Sequence, residues 1–166
     1  MLPIRTILHP TDFSANSDYA FRLACSLARA HGARVQVLHV ARHPVISPAE
    51  EASPAGAVRY QEELTEKLHR MQAEGAKVPV EHQLLFVGDP AEEILRVAQA
   101  VKADLIVLGT HGRTGLGRLL MGSVAEQVVR RAPCPVVTVK APLSQEGPAE
   151  GLAREPVASP AGGAKG

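Results

Sequence analysis

Apolar and polar positions along the chain follow two alternating periods. Ile4 to His9 is a short β-branched run after Pro3 and predicts a first strand. Pro10-Thr11-Asp12-Phe13-Ser14 then supplies turn and N-cap residues. Ala20, Leu23, Ala24 and Leu27 recur at helical spacing, and His31-Gly32 places a cation and a C-cap glycine at the end. Val35 to Val40 is a second strand. Residues 41 to 57, ARHPVISPAEEASPAGA, have no period and read as a long proline-rich loop. The helical period returns from Val58 to Glu74 through Leu64, Leu68 and Met71. Val80 to Val87 is a third strand. Gly88-Asp89-Pro90 gives a turn, a cap and a first-turn proline, followed by a helix face of Ile94, Val97, Ala98 and Val101. Asp104 to Gly109 is the most continuously apolar strand, which predicts a position inside the sheet, buried on both faces. Val124, Val128 and Val129 mark a last short helix to Arg131, and Pro135 to Lys140 a fifth strand whose flanking prolines suit an edge.

The order β-α-β-α-β-α-β-α-β predicts an α/β fold, a doubly wound parallel sheet with right-handed crossovers and helices on both faces. Ligands of such sheets lie at the carboxyl ends of the strands, where the winding reverses. The first and fourth strands are the expected pair there. Their ends carry Pro10-Thr11-Asp12 and Gly109-Thr110-His111-Gly112. Residues 1–140 read as one domain. Residues 141–166 turn to Pro, Gly, Ala and Ser without an apolar period and read as a flexible tail.

Composition narrows the function classes. The 166 residues carry 18 Lys and Arg against 17 Asp and Glu, a net charge of +1. No global basic field exists to hold a nucleic acid. Three Phe, two Tyr and no Trp argue against a base-stacking platform. Cys25 and Cys134 have no CxxC or Cys/His neighbours and read as buried thiols of a reducing compartment. No secretory signal or membrane-length apolar run is evident, so a cytoplasmic location is expected.

The stretch GTHGRTGLGRLLMGSV, residues 109–124, concentrates five glycines between the fourth strand and the last helix. Glycine raises the entropy lost on ordering, so such density implies a close approach to backbone. No Gly-Lys-Ser/Thr closes it as a Walker A loop, and a dinucleotide fingerprint would follow the first strand instead. Gly109 and Gly112 bracket a turn at a strand's carboxyl end, and Gly122-Ser123 opens a helix. Converging N–H groups there, with the helix dipole and the Ser123 hydroxyl, suit a polyphosphate. The alternative is a plain flexible loop with Ser123 as an ordinary N-cap. Asp12 can likewise be a helix cap or accept from ribose hydroxyls. His111 can be a solvated loop histidine, and no spacing supplies the orienting partner of a catalytic base.

Gly109-x2-Gly112-x9-Gly122-Ser123 resembles the nucleotide-binding motif of the universal stress proteins. The resemblance extends over LHPTDFS (8–14), VLHV (37–40), GDPAEEIL (88–95) and APCPVVTVK (132–140), and so spans residues 1–140. It implies a five-stranded sheet of order 3-2-1-4-5 and a homodimer formed around the fifth strand, 135–140. The family has ATP-binding members and members without the motif, and this chain resembles the first kind. By that resemblance Pro10, Thr11 and Asp12 would lie against ribose and adenine, and Val40 would meet adenine through its backbone. Gly109, His111, Gly112 and Arg113 would line the phosphates. Gly122, Ser123 and Val124 would hold them from the helix terminus.

The expected function is a nucleotide-dependent regulatory or stress-response module that binds ATP, with Mg²⁺ carried by the phosphates rather than by a protein cage. Little or no turnover is expected, because no general base or arginine finger stands out. A slow ATPase or phosphoryl or adenylyl transferase, and an interaction protein that binds no nucleotide, are the alternatives. A protein partner is expected but not named by the sequence.

Overall fold

The computed structural model describes residues 3–41, 54–74, 77–86, 88–110 and 121–141. Five strands are β1 (Thr6–Pro10), β2 (Arg34–Val40), β3 (Val80–Leu85), β4 (Leu105–Gly109) and β5 (Val136–Val139). Four helices among the described residues are α1 (Ala15–His31), α2 (Pro54–Glu74), α3 (Pro90–Ala100) and α4 (Ser123–Arg131). All strand pairings are parallel, and the sheet order is β3-β2-β1-β4-β5. That is the doubly wound architecture and strand order expected.

Two hydrophobic layers flank the sheet. On one face Ala20, Phe21, Ala24 and Ala28 of α1, with Leu68 and Met71 of α2, cover Ile7, Val35, Val37 and Val107. On the other, Ile94, Val97 and Ala98 of α3, with Ala125 and Val128 of α4, cover Leu8, Leu38, Ile106 and Leu108. Consecutive strand residues go to opposite layers, as the pleat requires. β4 is buried on both faces from Leu105 to Leu108, and β5 lies at the edge.

Local chemistry sets the boundaries. Ser14 caps α1 by accepting from the Ser17 N–H at 3.3 Å. Gly32 ends that helix at φ 65°, a left-handed conformation that glycine adopts without steric cost. Asp89 caps α3 through Oδ1, which accepts from the Ala91 and Glu92 N–H groups at 3.0 and 3.2 Å. The Asp104 carboxylate accepts from the Arg5 and Thr6 N–H groups, which holds its pKa below the usual range and pins the start of β1 beside β4.

Several boundaries differ from the sequence expectation. The 41–57 loop is too long, because α2 begins at Pro54 rather than Val58. Proline suits a first helical turn, where its missing N–H has no intrahelical role. Residues 42–53 lie outside the described residues. β1 runs from Thr6 to Pro10 rather than Ile4 to His9, β3 ends at Leu85, and β5 occupies only Val136–Val139. Cys25 and Cys134 are free and only partly buried. Desolvation is the main cause that raises the pKa of each thiol. The expected tail, 141–166, lies outside the described residues beyond Ala141.

Candidate functional site

The winding reverses between β1 and β4. β1 leads into α1 on one face of the sheet, and β4 leads to α4 on the other. The carboxyl ends of β1, β2 and β4 and the amino end of α4 therefore share one edge, the expected place for a ligand. Pro10, Thr11, Asp12, Val40, Gly109, Gly122, Ser123 and Val124 all sit on that edge. His111, Gly112 and Arg113 lie outside the described residues.

The segment after β1 is held by its own side chains. Thr11 N–H donates to the Leu38 carbonyl at 2.8 Å, one step beyond the last registered pair with β2. Thr11 Oγ1 accepts from the Phe13 N–H at 3.1 Å and from the Ser17 hydroxyl at 2.8 Å. The Thr11 side chain is thus buried inside the turn. Its hydroxyl is taken up within the turn, and only its backbone faces the edge where the sequence expectation put a ribose or adenine. Asp12 Oδ1 accepts from the Ser14 N–H at 3.1 Å, an Asx-type turn. This turn delivers the chain to Ser14, and it is Ser14, not Asp12, that caps α1. Phe13 adopts φ 61°, a strained value for a residue with a bulky side chain. Its ring lies 4.5 Å from that of His39, with the Lys67 ammonium 5.7 Å from its centroid.

β2 contributes backbone. The Ala41 N–H donates to the Leu85 carbonyl of β3. Alternation along the strand turns the N–H and C=O of Val40 the other way, toward the end of β1. That is the orientation an adenine contact through the Val40 backbone requires.

β4 and α4 are tied together at the base of the glycine-rich segment. The Thr110 N–H donates to the Val139 carbonyl, and the Gly122 N–H donates to the Thr110 carbonyl at 2.7 Å. Gly122 is the N-cap of α4, at φ −73° and ψ 155°, and no side chain among the described residues caps the helix. Ser123 is the first helical residue, so it is not the ordinary N-cap that the loop alternative supposed. The Glu126 N–H is the one that returns to the Gly122 carbonyl. The amides of Ser123, Val124 and Ala125 consequently point out of the helix end, where the backbone dipoles concentrate partial positive charge.

Gly109 has a use the sequence did not disclose. A Cβ there would stand 3.1 Å from the Asn16 backbone carbon, the Asn16 Cβ and the Ser17 backbone nitrogen. The first turn of α1 therefore occupies the space next to it.

Two buried histidines stand at the same edge. His9 is wholly buried, and its Nδ1 lies 2.8 Å from the Val107 carbonyl oxygen. Desolvation lowers its pKa to about 4, against smaller upward effects of that hydrogen bond and of the Asp12 charge. His39 Nδ1 lies 2.7 Å from the Thr11 carbonyl oxygen. The signal available for both was a histidine at the penultimate position of a strand.

Among the described residues no group of three or more His, Cys, Asp or Glu could hold a metal ion. No helix among them is long and apolar enough to cross a membrane.

Fold and edge together define a doubly wound α/β protein with its switch point between β1 and β4. Residues 3–140 match the profile of the Universal stress protein family, and the chain belongs to that family. It is 41% identical over 136 residues to a universal stress protein of Thermus aquaticus, covering 82% of this chain and 98% of the relative. Universal stress protein MJ0577 of Methanocaldococcus jannaschii is 31% identical over 82% of this chain and 94% of its own length. The solved structure of MJ0577 aligns with TM-score 0.75 over 86% of this chain and all of that one. A universal stress protein from Archaeoglobus fulgidus, solved in complex with dAMP, aligns at TM-score 0.57 and 26% identity, covering 84% of this chain and 100% of that one.

Proposed function

We propose that this chain is an adenine-nucleotide-binding stress-response module that holds ATP with little or no turnover. The observation that carries this is the amino end of α4. Its cap is Gly122, no side chain among the described residues caps it, and it opens beside the carboxyl ends of β1 and β4. The spacing Gly109-x2-Gly112-x9-Gly122-Ser123 and the dAMP complex of the Archaeoglobus relative support the same reading. In this arrangement the α4 amides, the Ser123 hydroxyl and the glycine-rich segment with His111, Gly112 and Arg113 take the phosphates. Pro10, the Thr11 backbone, Asp12 and Val40 take the nucleoside. Mg²⁺ enters on the phosphates.

Amides and a hydroxyl bind ground state and transition state about equally, and uniform binding does not accelerate chemistry. Phosphoryl transfer needs a positioned nucleophile and charge focused on the γ-phosphate. Retention is therefore the expected fate of bound ATP, and occupancy is the signal. That signal would act in the cytoplasm, through a protein partner or through a homodimer built on β5. The outer edge of β5 has no strand beside it among the described residues.

Calorimetric titration with ATP, AMP and adenosine in Mg²⁺ tests the site. ATP should bind at least about tenfold more tightly than adenosine, a difference of roughly 1.4 kcal/mol. Equal affinities, or none, would sink the phosphate assignment. A single-turnover assay with labelled ATP should give hydrolysis slower than about one event per minute, far below the typical enzymatic range. Several turnovers per second would make the chain an enzyme.

A further inference from the structure

The ladder between β1 and β4 stops early. Its registered pairs are Ile7↔Leu105 and Leu8↔Ile106, although the strands run on to Pro10 and Gly109. On its other side β1 stays in register with β2 through Pro10↔Leu38. Hydrogen bonds of a parallel ladder recur at every second residue. In the β1–β4 register the Leu8 N–H serves the Leu105 carbonyl and the Val107 N–H serves the Leu8 carbonyl. The next bond would run from the N–H of residue 10 to the Val107 carbonyl. Residue 10 is proline and has no N–H to give.

Val107 is wholly buried, so its carbonyl would be left unpartnered in the core. The His9 ring takes the place of the missing donor, with Nδ1 2.8 Å from that oxygen. A carbonyl only accepts, so Nδ1 carries the proton and the neutral ring leaves Nε2 bare. Nε2 is buried and has no hydrogen-bond partner among the described residues. A side chain that leaves one nitrogen unsatisfied is a poor choice for packing alone, because a leucine would fill the layer without that cost. What the imidazole supplies and leucine does not is a donor for Val107 that leaves the Pro10 backbone outside the ladder. Registered pairing of the two strands does not continue past this point. Pro10-Thr11-Asp12 continues on one side of the gap and Gly109-Thr110 on the other. On the far side of β1 His39 Nδ1 lies 2.7 Å from the Thr11 carbonyl oxygen just past the last registered pair with β2, there beside Val40, which keeps its own N–H.

We propose that His9 is a positioning residue for the nucleotide site: its Nδ1–H replaces the missing Pro10 N–H at the Val107 carbonyl and so fixes the parting of β1 and β4 into which the nucleotide fits. This rests on the nucleotide-binding function proposed above. His9 touches no ligand and acts through the strand ends.

The test uses the full chain with wild type, His9→Asn and His9→Leu. The asparagine amide can present a donor close to the place of Nδ1, whereas leucine presents none. Calorimetry with MgATP should find His9→Asn within about threefold of wild type and His9→Leu weaker by about tenfold or more, the range expected when a buried acceptor loses its partner. Circular dichroism should show both variants folded at the assay temperature. Unchanged affinity in folded His9→Leu overturns the proposal. So does equal weakening in both variants, because the donor would then be irrelevant. Where His9→Leu does not fold, His9→Gln, whose amide reaches the place of Nε2 instead, takes its role with the same criteria. Independently of any ligand, ¹⁵N spectra of the wild-type imidazole should show the proton on Nδ1 and protected from exchange, and a proton on Nε2 overturns the proposal. Wild type that binds neither ATP nor AMP would remove the nucleotide function itself, and that outcome is distinct from binding indifferent to His9.

Discussion

Replacing Gly109 with alanine separates two uses of the same glycine, room for a ligand and room for a helix. The added Cβ would stand 3.1 Å from three atoms of α1, two of them backbone. That is a few tenths of an ångström inside ordinary van der Waals contact, so the first turn of α1 would have to move. It is not free to do so. Ser14 caps it, the Ser17 hydroxyl is bonded to Thr11, and Asn16 Oδ1 accepts from the Ala141 N–H at 2.8 Å across to the end of β5. Overpacking of this kind costs about 1–3 kcal/mol. Gly109 has no left-handed backbone conformation, so alanine also recovers about 0.4–1 kcal/mol of chain entropy. The net expectation is a loss of about 1–2 kcal/mol, or a fall in Tm of about 3–8 °C for a domain of this size.

Urea and thermal unfolding of Gly109→Ala, followed by circular dichroism, read this directly, with ATP titration run on the same samples. If the helix claims the space, stability falls while folded protein still binds ATP within a fewfold of wild type. Unchanged stability with lost binding would refute the helix-packing assignment and return Gly109 to the ligand. Unchanged stability with unchanged binding would mean that α1 yields more readily than its hydrogen bonds imply.

Other consequences follow from the same edge. Gly122 has φ −73° and ψ 155°, values open to any residue, so Gly122→Val should fold, with a capping loss of about 1 kcal/mol, while ATP affinity measured by calorimetry falls at least about tenfold; unchanged affinity would refute the α4 site. Burial sets the folded pKa of His9 to about 4, below its ordinary 6.5. The unfolded chain then binds the extra proton first, so this contribution is intact above pH 6.5 and lost as pH falls toward 4. Its full size is about 3 kcal/mol. Urea midpoints taken from pH 7 to pH 4 should fall more steeply for wild type than for His9→Asn, and parallel curves would refute the assignment. The β5 edge carries Val136, Val137 and Val139, and a bare apolar edge invites pairing. Sedimentation at micromolar concentration should give a dimer, and a monomer alone would count against an interface there.

The alternation of 2-fold and 3.6-fold apolar periods carries most of the fold. Ile7, Leu8, Ile106 and Val107 go to opposite layers because the pleat leaves them no choice, and the crossovers then admit few topologies. Boundaries were less legible. A proline such as Pro54 is as compatible with a loop as with a first helical turn, and the difference lies in the chain that follows. Glycines gave the edge but not their separate duties. Gly109 and Gly122 are equivalent as letters, yet one makes room for α1 and the other begins α4 without a capping side chain of its own.

The role of His9 was illegible for a deeper reason. A histidine beside a proline at the end of a strand says only that one backbone donor is missing. Which carbonyl lacks it depends on register with β4, nearly a hundred residues further along the chain. Once the register is known, the two residues explain each other. Pro10 removes the donor that would keep β1 and β4 laced, and His9 supplies one from the side, so that the core stays satisfied while the strands separate. Either alone would fail: Pro10 without His9 leaves the Val107 carbonyl unpartnered in the core, and His9 without Pro10 competes with a backbone donor for one acceptor and leaves the ladder free to run on. The pair predicts its own coupling. In a double-mutant cycle, Pro10→Ala should recover part of the stability lost in His9→Leu, because the alanine N–H can reach the Val107 carbonyl and extend the ladder. A coupling of about 0.5–3 kcal/mol is the range for contacts of this kind. Strict additivity of the two substitutions, measured by urea unfolding, would mean that the ring and the proline answer to different carbonyls.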